Sequence, residues 1–541
     1  MLKKRIKILI IVLGVMFAGC ELLKQLDSNN KPGKKVADTQ GNTKVKMTEV
    51  ELKQTPPINI PITINTNNLK KVNPNVVGMN TGFSFKNDME SIPEYVRLTK
   101  DMQIRTLRFP GGTNSSWYHL DGNGYGIRRS EAIGKAPVSI TSLINWDQEE
   151  DENYVYNFIR MAKNSHPDVK ITLDVNLLYG TPQEAVDLID VVVKSGLKVH
   201  GIELGNELYF NQYRDKIPTV EEYITICKNF ARVIKNKYPN LPLAVNMGNV
   251  MEWDSPEGKT TRTFIPWNSA LAKENFYDAV VMHAYFGKEG GGNDCANLEN
   301  KGIPAMYDCY KNLMSPIQNN AMEKMLTEVR KVFGKDVKVW FTEWNAGVPQ
   351  FHLTNSMIHG TLTSEILLDI IEVNVNNNDA YEYAMFHNLS SQGAVYGSLY
   401  LNPNNMPNMN GSNDIVASTP YYSFNFISKM LGNNTKRASE NFTYPIGMNA
   451  SDFVFRTFYD DVAKQTFIYF INKSGRTLQL QANGFTPVSK SSVSGNKLYS
   501  SGGFGPISKS YPNLYEPTIL INEKVRILNV DPYSFGYFTL Q

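Results

Sequence analysis

One alternation, repeated eight times, constrains this chain more than any other feature. Short apolar stretches that end in polar residues are separated by longer segments. The stretches are "NVVGMNTG", "IRTLRFPGG", "VKITLDVNL", "VHGIELGNE", "LPLAVNMG", "YDAVVMHAYF", "KVWFTEWNA" and "YEYAMFHNL". Several of the segments between them carry apolar residues at helical spacing, as in "NYVYNFIRMAKNS", "TPQEAVDLIDVVVKSG", "TVEEYITICKNFARVIKNKYP", "NNAMEKMLTEVRKVFG" and "TSEILLDIIEVNVNNN". Strands that are apolar on both faces and alternate with helices belong to a covered parallel sheet. Eight such units predict an α/β fold, a closed (β/α)₈ TIM barrel with enlarged loops. A doubly wound sheet is the alternative, and no glycine-rich phosphate loop supports it.

The polar tips are Asn80, Arg108, Asn176, Asn206, Glu207, Asn246, His283, Tyr285, Glu343, Asn345, His387 and Asn388. A barrel gathers the C-terminal ends of its strands on one face, so these residues are expected around one mouth. Two of them are carboxylic acids, Glu207 and Glu343, on the fourth and seventh strands. Cleaving a glycosidic bond needs one carboxyl group to protonate the leaving oxygen and a second opposite it. The amide of Asn206 beside Glu207 suits a sugar hydroxyl. A buried carboxylate with no purpose is costly.

After the helical pattern "TPYYSFNFISKMLGN" the texture changes to short strands and turns, from "FVFRTFYDD" to the C-terminus. These predict a β-sandwich of about 110 residues. "PINIPITINT" alternates apolar and polar residues ahead of the barrel and is expected to join it. The expected division is a leader over 1–19, a tether over 20–56, the joining strand over 57–70, the barrel over 71–432 and the sandwich over 433–541.

The leader "MLKKRIKILIIVLGVMFAGC" has a basic start and an apolar run too short to span a bilayer. "FAGC" resembles a bacterial lipoprotein signal. That implies cleavage before Cys20 and lipid on its sulfur, with the protein anchored in the cell envelope, at the outer membrane, facing the periplasm or the surface. An uncleaved anchor or a plain secretory signal are the alternatives. Removing the leader takes four basic residues with it and turns the formal charge of +3 into 51 basic against 52 acidic residues. No basic groove remains, so nucleic acid is not expected as a partner. Cys295 and Cys309 can pair as a disulfide in an exported protein. Cys227 lies in a helical pattern and reads as a small buried hydrophobe. No Cys/His spacing indicates a metal, and no cofactor is expected.

"GNE" on the fourth strand and "TEWN" on the seventh resemble the retaining glycoside hydrolases of clan A. "LRFPGG" and "HAY" look closest to its α-L-arabinofuranosidase branch and the neighbouring β-xylosidase and β-glucuronidase branches. The resemblance implies that Glu207 is the acid/base and Glu343 the nucleophile, their carboxyl groups about 5–5.5 Å apart. It implies that Arg108 bonds the nucleophile, that His283 bonds the acid/base region and that Tyr285 positions the nucleophile. Each also has a plain structural reading: a strand-end salt bridge, a core histidine, a packing tyrosine. Asn176 and Trp117 are further candidates for substrate binding or support. Gly111 and Gly112 would let backbone approach the sugar. Trp117, Tyr118, Tyr125, Tyr179, Tyr209 and Phe210 sit where aromatic rings can stack on sugar faces. In one respect the chain departs from the arabinofuranosidase pattern: Thr113, not Asn, follows "PGG". The expected partner is a plant or algal polysaccharide or its oligosaccharides. An inactive carbohydrate-binding lipoprotein and a transglycosylase are the alternatives.

Overall fold

The computed structural model describes residues 56–82, 89–141, 143–147, 150–248, 259–286, 320–346, 357–392, 397–401, 415–445, 448, 452–495 and 518–541. The leader, Cys20, Cys295 and Cys309 lie outside these residues.

The first strand, β1 (Ile58–Lys71), precedes a closed parallel barrel. The barrel strands are β2 (Gly78–Asn80), β3 (Thr106–Phe109), β4 (Lys170–Val175), β5 (Lys198–Leu204), β6 (Leu243–Asn246), β7 (Ala279–Phe286), β8 (Lys338–Ala346) and β9 (Tyr381–His387). β9 pairs back onto β2, with His387 beside Asn80, and this closes the ring. All eight apolar stretches read from the sequence are these strands.

The covering helices begin where the sequence supplies oxygen caps. The side chain of Asn153 accepts from Val155 N ahead of the helix Tyr154–Ser165. Thr181 and Thr219 accept from Glu184 N and Glu222 N ahead of Pro182–Lys194 and Val220–Lys237. Each cap satisfies an amide that the first turn leaves without an intrahelical partner. Each of the five helical patterns overlaps a helix, the last Met357–Asn376. Cys227 is fully buried in its helix, as its setting predicted.

Three short strands, β10 (Ser390–Gln392), β11 (Leu399–Leu401) and β12 (Ile415–Ala417), form a small sheet after the barrel. The remaining strands are β13 (Thr435–Phe442), β14 (Phe453–Asp460), β15 (Gln465–Asn472), β16 (Leu478–Ala482), β17 (Pro487–Ser494), β18 (Thr518–Lys524), β19 (Leu528–Val530) and β20 (Ser534–Leu540). They join β1 in one nine-stranded sheet, in the order β18-β17-β20-β15-β14-β13-β1-β16-β19. β1 runs antiparallel to β13 and parallel to β16. The sheet curls, so that Ile60 and Ile62 of β1 share a core with Phe455, Phe470, Leu480 and Phe538. Its other side meets the barrel. The Lys473 ammonium bonds the Glu365 carboxylate at 3.0 Å, both buried, and the Tyr469 and Ser364 hydroxyls lie 2.8 Å apart.

Candidate active site

The C-terminal ends of the barrel strands hold one continuous polar network, and its centre is Arg108. This side chain is fully buried at the end of β3. Nη1 donates to Glu343 Oε1 at 2.7 Å. Nη2 donates to Glu203 Oε2 at 2.7 Å and to Asp174 Oδ2 and Asn206 Oδ1, both at 2.9 Å. Nε donates to both Glu203 oxygens at 3.0 Å. A planar fork of five N–H donors is suited to such a role.

Glu343 lies on β8, its side chain 6% exposed. Besides Arg108, its Oε2 accepts from the Tyr285 hydroxyl at 2.7 Å. The Asn80 amide stands 3.5 Å from Oε1 and 3.1 Å from His387 Nδ1. Burial opposes the charge on Glu343, but His283, His387, Arg108 and the Tyr285 hydroxyl outweigh it and hold the carboxyl well below the usual range. Gly111 and Gly112 have positive φ, and a Cβ on Gly111 would meet Asn80 Oδ1 at 2.2 Å. Only glycine fits there without strain.

Glu207 follows β5, on a residue with φ of +51°. Left-handed backbone is unusual for a residue with a long side chain. Oε1 meets His283 Nδ1 at 2.9 Å and the Tyr209 hydroxyl at 3.4 Å. His283 Nε2 reaches the Thr342 hydroxyl at 3.1 Å, and that hydroxyl stands 3.3 Å from Glu203 Oε2. Burial lowers the His283 pKa, yet Glu343 and Glu207 raise it overall. One oxygen of Glu207, one of Glu343 and a ring nitrogen of His283 all lie within 4.8 Å of one another.

Glu207, Glu343, Arg108, Asn206, His283 and Tyr285 are thus brought together. Asn206 Oδ1 is held by Arg108, and Nδ2 is a buried donor with no partner among the described residues. Asn176 is used differently. Its amide donates to Tyr118 O at 3.1 Å and accepts from Leu178 N and Tyr179 N, which shapes the loop after β4. Trp117 is 3% exposed and packs on Tyr179 with ring centroids 4.8 Å apart. Tyr118 and Tyr125 are buried as well, and Phe210 is the exposed ring of the set.

Two buried carboxyl groups escaped the sequence reading: Asp174 and Glu203. They lie side by side in the register of β4 on β5. A signal was present. Asp174 stands two residues before Asn176, which puts both on one face of a strand.

No family model matches this chain, and no curated protein does. Solved structures do match across nine-tenths of it. An α-L-arabinofuranosidase from Thermotoga maritima, solved with arabinose, aligns at 14% identity and TM-score 0.60, over 89% of this chain and 99% of that one. A family 51 α-L-arabinofuranosidase from Bifidobacterium longum aligns at 16% identity and TM-score 0.60, over 90% of this chain and all of that one. A conserved exported protein from Bacteroides fragilis aligns at 11% identity and TM-score 0.53, over 89% of this chain and all of that one. At such identities the likeness is one of fold, and the fold is that of the family 51 α-L-arabinofuranosidases, the branch its strand motifs resemble.

Proposed function

We propose that this protein is a retaining glycoside hydrolase acting on a plant or algal polysaccharide or on oligosaccharides from it. The observation that carries this reading is the pairing of Glu207 with Glu343, oxygens within 4.8 Å, across one barrel mouth. Retaining enzymes hold their carboxyl groups about 5–5.5 Å apart, whereas inverting enzymes leave about 6.5–9.5 Å for a water.

Glu343, ionised and fixed by Arg108 and Tyr285, attacks the anomeric carbon and forms a glycosyl ester. Glu207 gives its proton to the departing glycosidic oxygen as that bond breaks. Glu207, now a carboxylate, takes a proton from water. The hydroxide oxygen attacks the same carbon, and Glu343 leaves as a carboxylate. One water is consumed and the configuration is retained. The free Nδ2 donor of Asn206 is placed for the sugar 2-hydroxyl, a bond that strengthens in the transition state. The solved arabinofuranosidases share the fold, while Thr113 after "PGG" sets the sugar pocket of this chain apart from their branch.

The test is the anomeric configuration of the first product, followed by NMR on aryl glycosides and defined polysaccharides. A product of inverted configuration defeats the mechanism. We also propose that the mature chain is lipid-anchored at Cys20 in a bacterial envelope, a reading supported by the leader alone. Cys20→Ala should end lipid labelling and release the protein from membranes, and continued labelling defeats it.

A further inference from the structure

Two acids lie beneath the proposed catalytic pair, and that mechanism gives them no task. They are not equivalent. Glu203 has both oxygens occupied, by Arg108 Nε and Nη2. Its Oε2 is also 3.3 Å from the Thr342 hydroxyl. Asp174 accepts from Arg108 Nη2, and its buried Oδ1 meets no donor in good geometry among the described residues, the nearby Ser115 hydroxyl being turned to Gly112 O while still favouring the charge. Both side chains are fully buried. Arg108 is the one cation that all three carboxyl groups of the cluster touch.

An ionised carboxylate buried with an oxygen unpaired is costly, and a cluster of three anions around one guanidinium is doubly so. The Thr342 hydroxyl has one hydrogen. If Glu203 is the anion, that hydrogen goes to Glu203, and Thr342 then accepts from His283 Nε2–H. This leaves His283 Nδ1 facing Glu207 in the form that can accept the acid's proton. Glu203 therefore stands on two routes, one through Arg108 to Glu343 and one through Thr342 and His283 to Glu207.

We propose that Glu203 is a positioning residue for both glutamates, fixing the Arg108 fork on Glu343 and the His283 tautomer at Glu207, while its neighbour Asp174 stays protonated. The proposal rests on the hydrolase reading for its activity tests alone. Charged and titratable groups acting on Asp174 are Arg108 on β3, Glu203 on β5 and His283 on β7. Tyr213 and Tyr223 also feel its charge. Burial pushes the Asp174 pKa up from 3.8 to about 8, with Arg108 opposing. Burial raises Glu203 as well, with Arg108 and His283 opposing. For Asp174 the folded value exceeds the unfolded one. Its contribution to stability is therefore complete below pH 3.8 and is lost as pH rises through about 8.

The experiment compares Glu203→Gln, Asp174→Asn and Thr342→Val with the unaltered protein. Glu203→Gln should lower kcat by about 100-fold with little change in KM, the scale of a misplaced catalytic group. Asp174→Asn should lose far less, and its melting temperature should fall less than that of the unaltered protein as pH rises from about 4 to about 8. Infrared difference spectra at pH 7, unaltered protein minus Asp174→Asn, should show one protonated-carboxyl band, separate from the band that Glu207→Gln removes. Thr342→Val should shift the alkaline limb of kcat/KM, because it cuts the His283 route and leaves Arg108 paired. Equal damage from the two amide substitutions overturns the proposal, as does an Asp174→Asn spectrum that keeps every protonated-carboxyl band of the unaltered protein. If Glu203→Gln fails to fold, the other two variants decide: an unmoved alkaline limb in Thr342→Val or an Asp174→Asn spectrum that keeps every such band overturns the proposal. Should the unaltered protein cleave no glycoside while the band behaves as expected, the hydrolase reading falls and the protonation of Asp174 stands.

Discussion

Glu343 and Glu207 are the same residue type a few ångströms apart, and the fold treats them oppositely. Glu343 sits within β8, where the strand's register slips against both neighbours, its side chain 6% exposed, against a guanidinium and a phenol. Glu207 stands just past its strand on left-handed backbone, its side chain 21% exposed, facing an imidazole. A group that must stay charged is best surrounded by fixed donors. A group that must lose and regain a proton is best placed beside a partner that can do likewise. The difference in surroundings therefore matches the difference in task that we propose for them.

Glu343→Gln should break this comparison most severely. Its kcat should fall by at least about 10⁴-fold on every substrate, since no other group stands where it does. Steady-state and single-turnover rates check this. Glu207→Ala should cost about 10²–10⁴-fold when the leaving group is poor. With an activated aryl leaving group, glycosylation should be partly spared and a glycosyl-enzyme should build up. Added azide should then restore turnover with a glycosyl azide of retained configuration. If azide instead rescues a Glu343→Ala chain with inverted product, and Glu207→Ala shows no retained rescue, the roles are exchanged.

Tyr285→Phe should have a smaller effect, about 10-fold in kcat/KM, because it removes one hydrogen bond to a charged group worth about 1.5–3 kcal/mol and leaves Arg108 in place. A change in KM alone would show that the hydroxyl serves binding only. The smallest effect is on stability. The Glu343 pKa is depressed in the folded state, so its contribution is present above its ordinary value of 4.5 and is lost as pH falls further. The melting temperature should drop more steeply below that pH in the unaltered protein than in Glu343→Gln. Parallel curves would mean that the charge on Glu343 is not held by its neighbours.

The barrel was legible because its strands are buried on both faces and end abruptly in polar residues, a pattern that few other folds demand. β1 was legible as a sheet strand from its alternation, Ile58, Ile60, Ile62 and Ile64 on one side. Its partners were not, since a parallel pairing with β16 across some 420 residues leaves no local trace. The two glutamates announced themselves at strand ends. Glu203 did not, although it lies four residues before Glu207. Inside a strand, one carboxyl group gives no sign of which way its neighbours point. Only the register of β4 on β5 sets it against Asp174. Asn176 is a candidate for substrate binding or for support, and its bonds go to backbone. An Asn at the end of a strand suits a tight loop as well as a ligand. The left-handed turn at Glu207 left no mark either, since no Asn or Gly occupies that position.

The nine-stranded sheet takes its seventh strand in order, β1, from the first residues described and the rest from the last. In the growing chain β1 emerges long before its partners. At about 5–20 residues per second, the wait from Ile58 to Thr435, the start of its first partner β13, lasts roughly 20–75 s. Through that interval Ile60 and Ile62 have no core and the strand has two open edges, which is a template for wrong pairing. The barrel needs nothing from β1 to close, so it can form first and hold the strand at its margin. Completion of the sheet then becomes a check on synthesis, because a chain that stops before residue 435 has a whole barrel, a bare apolar strand, and nothing for that strand to join but another such chain.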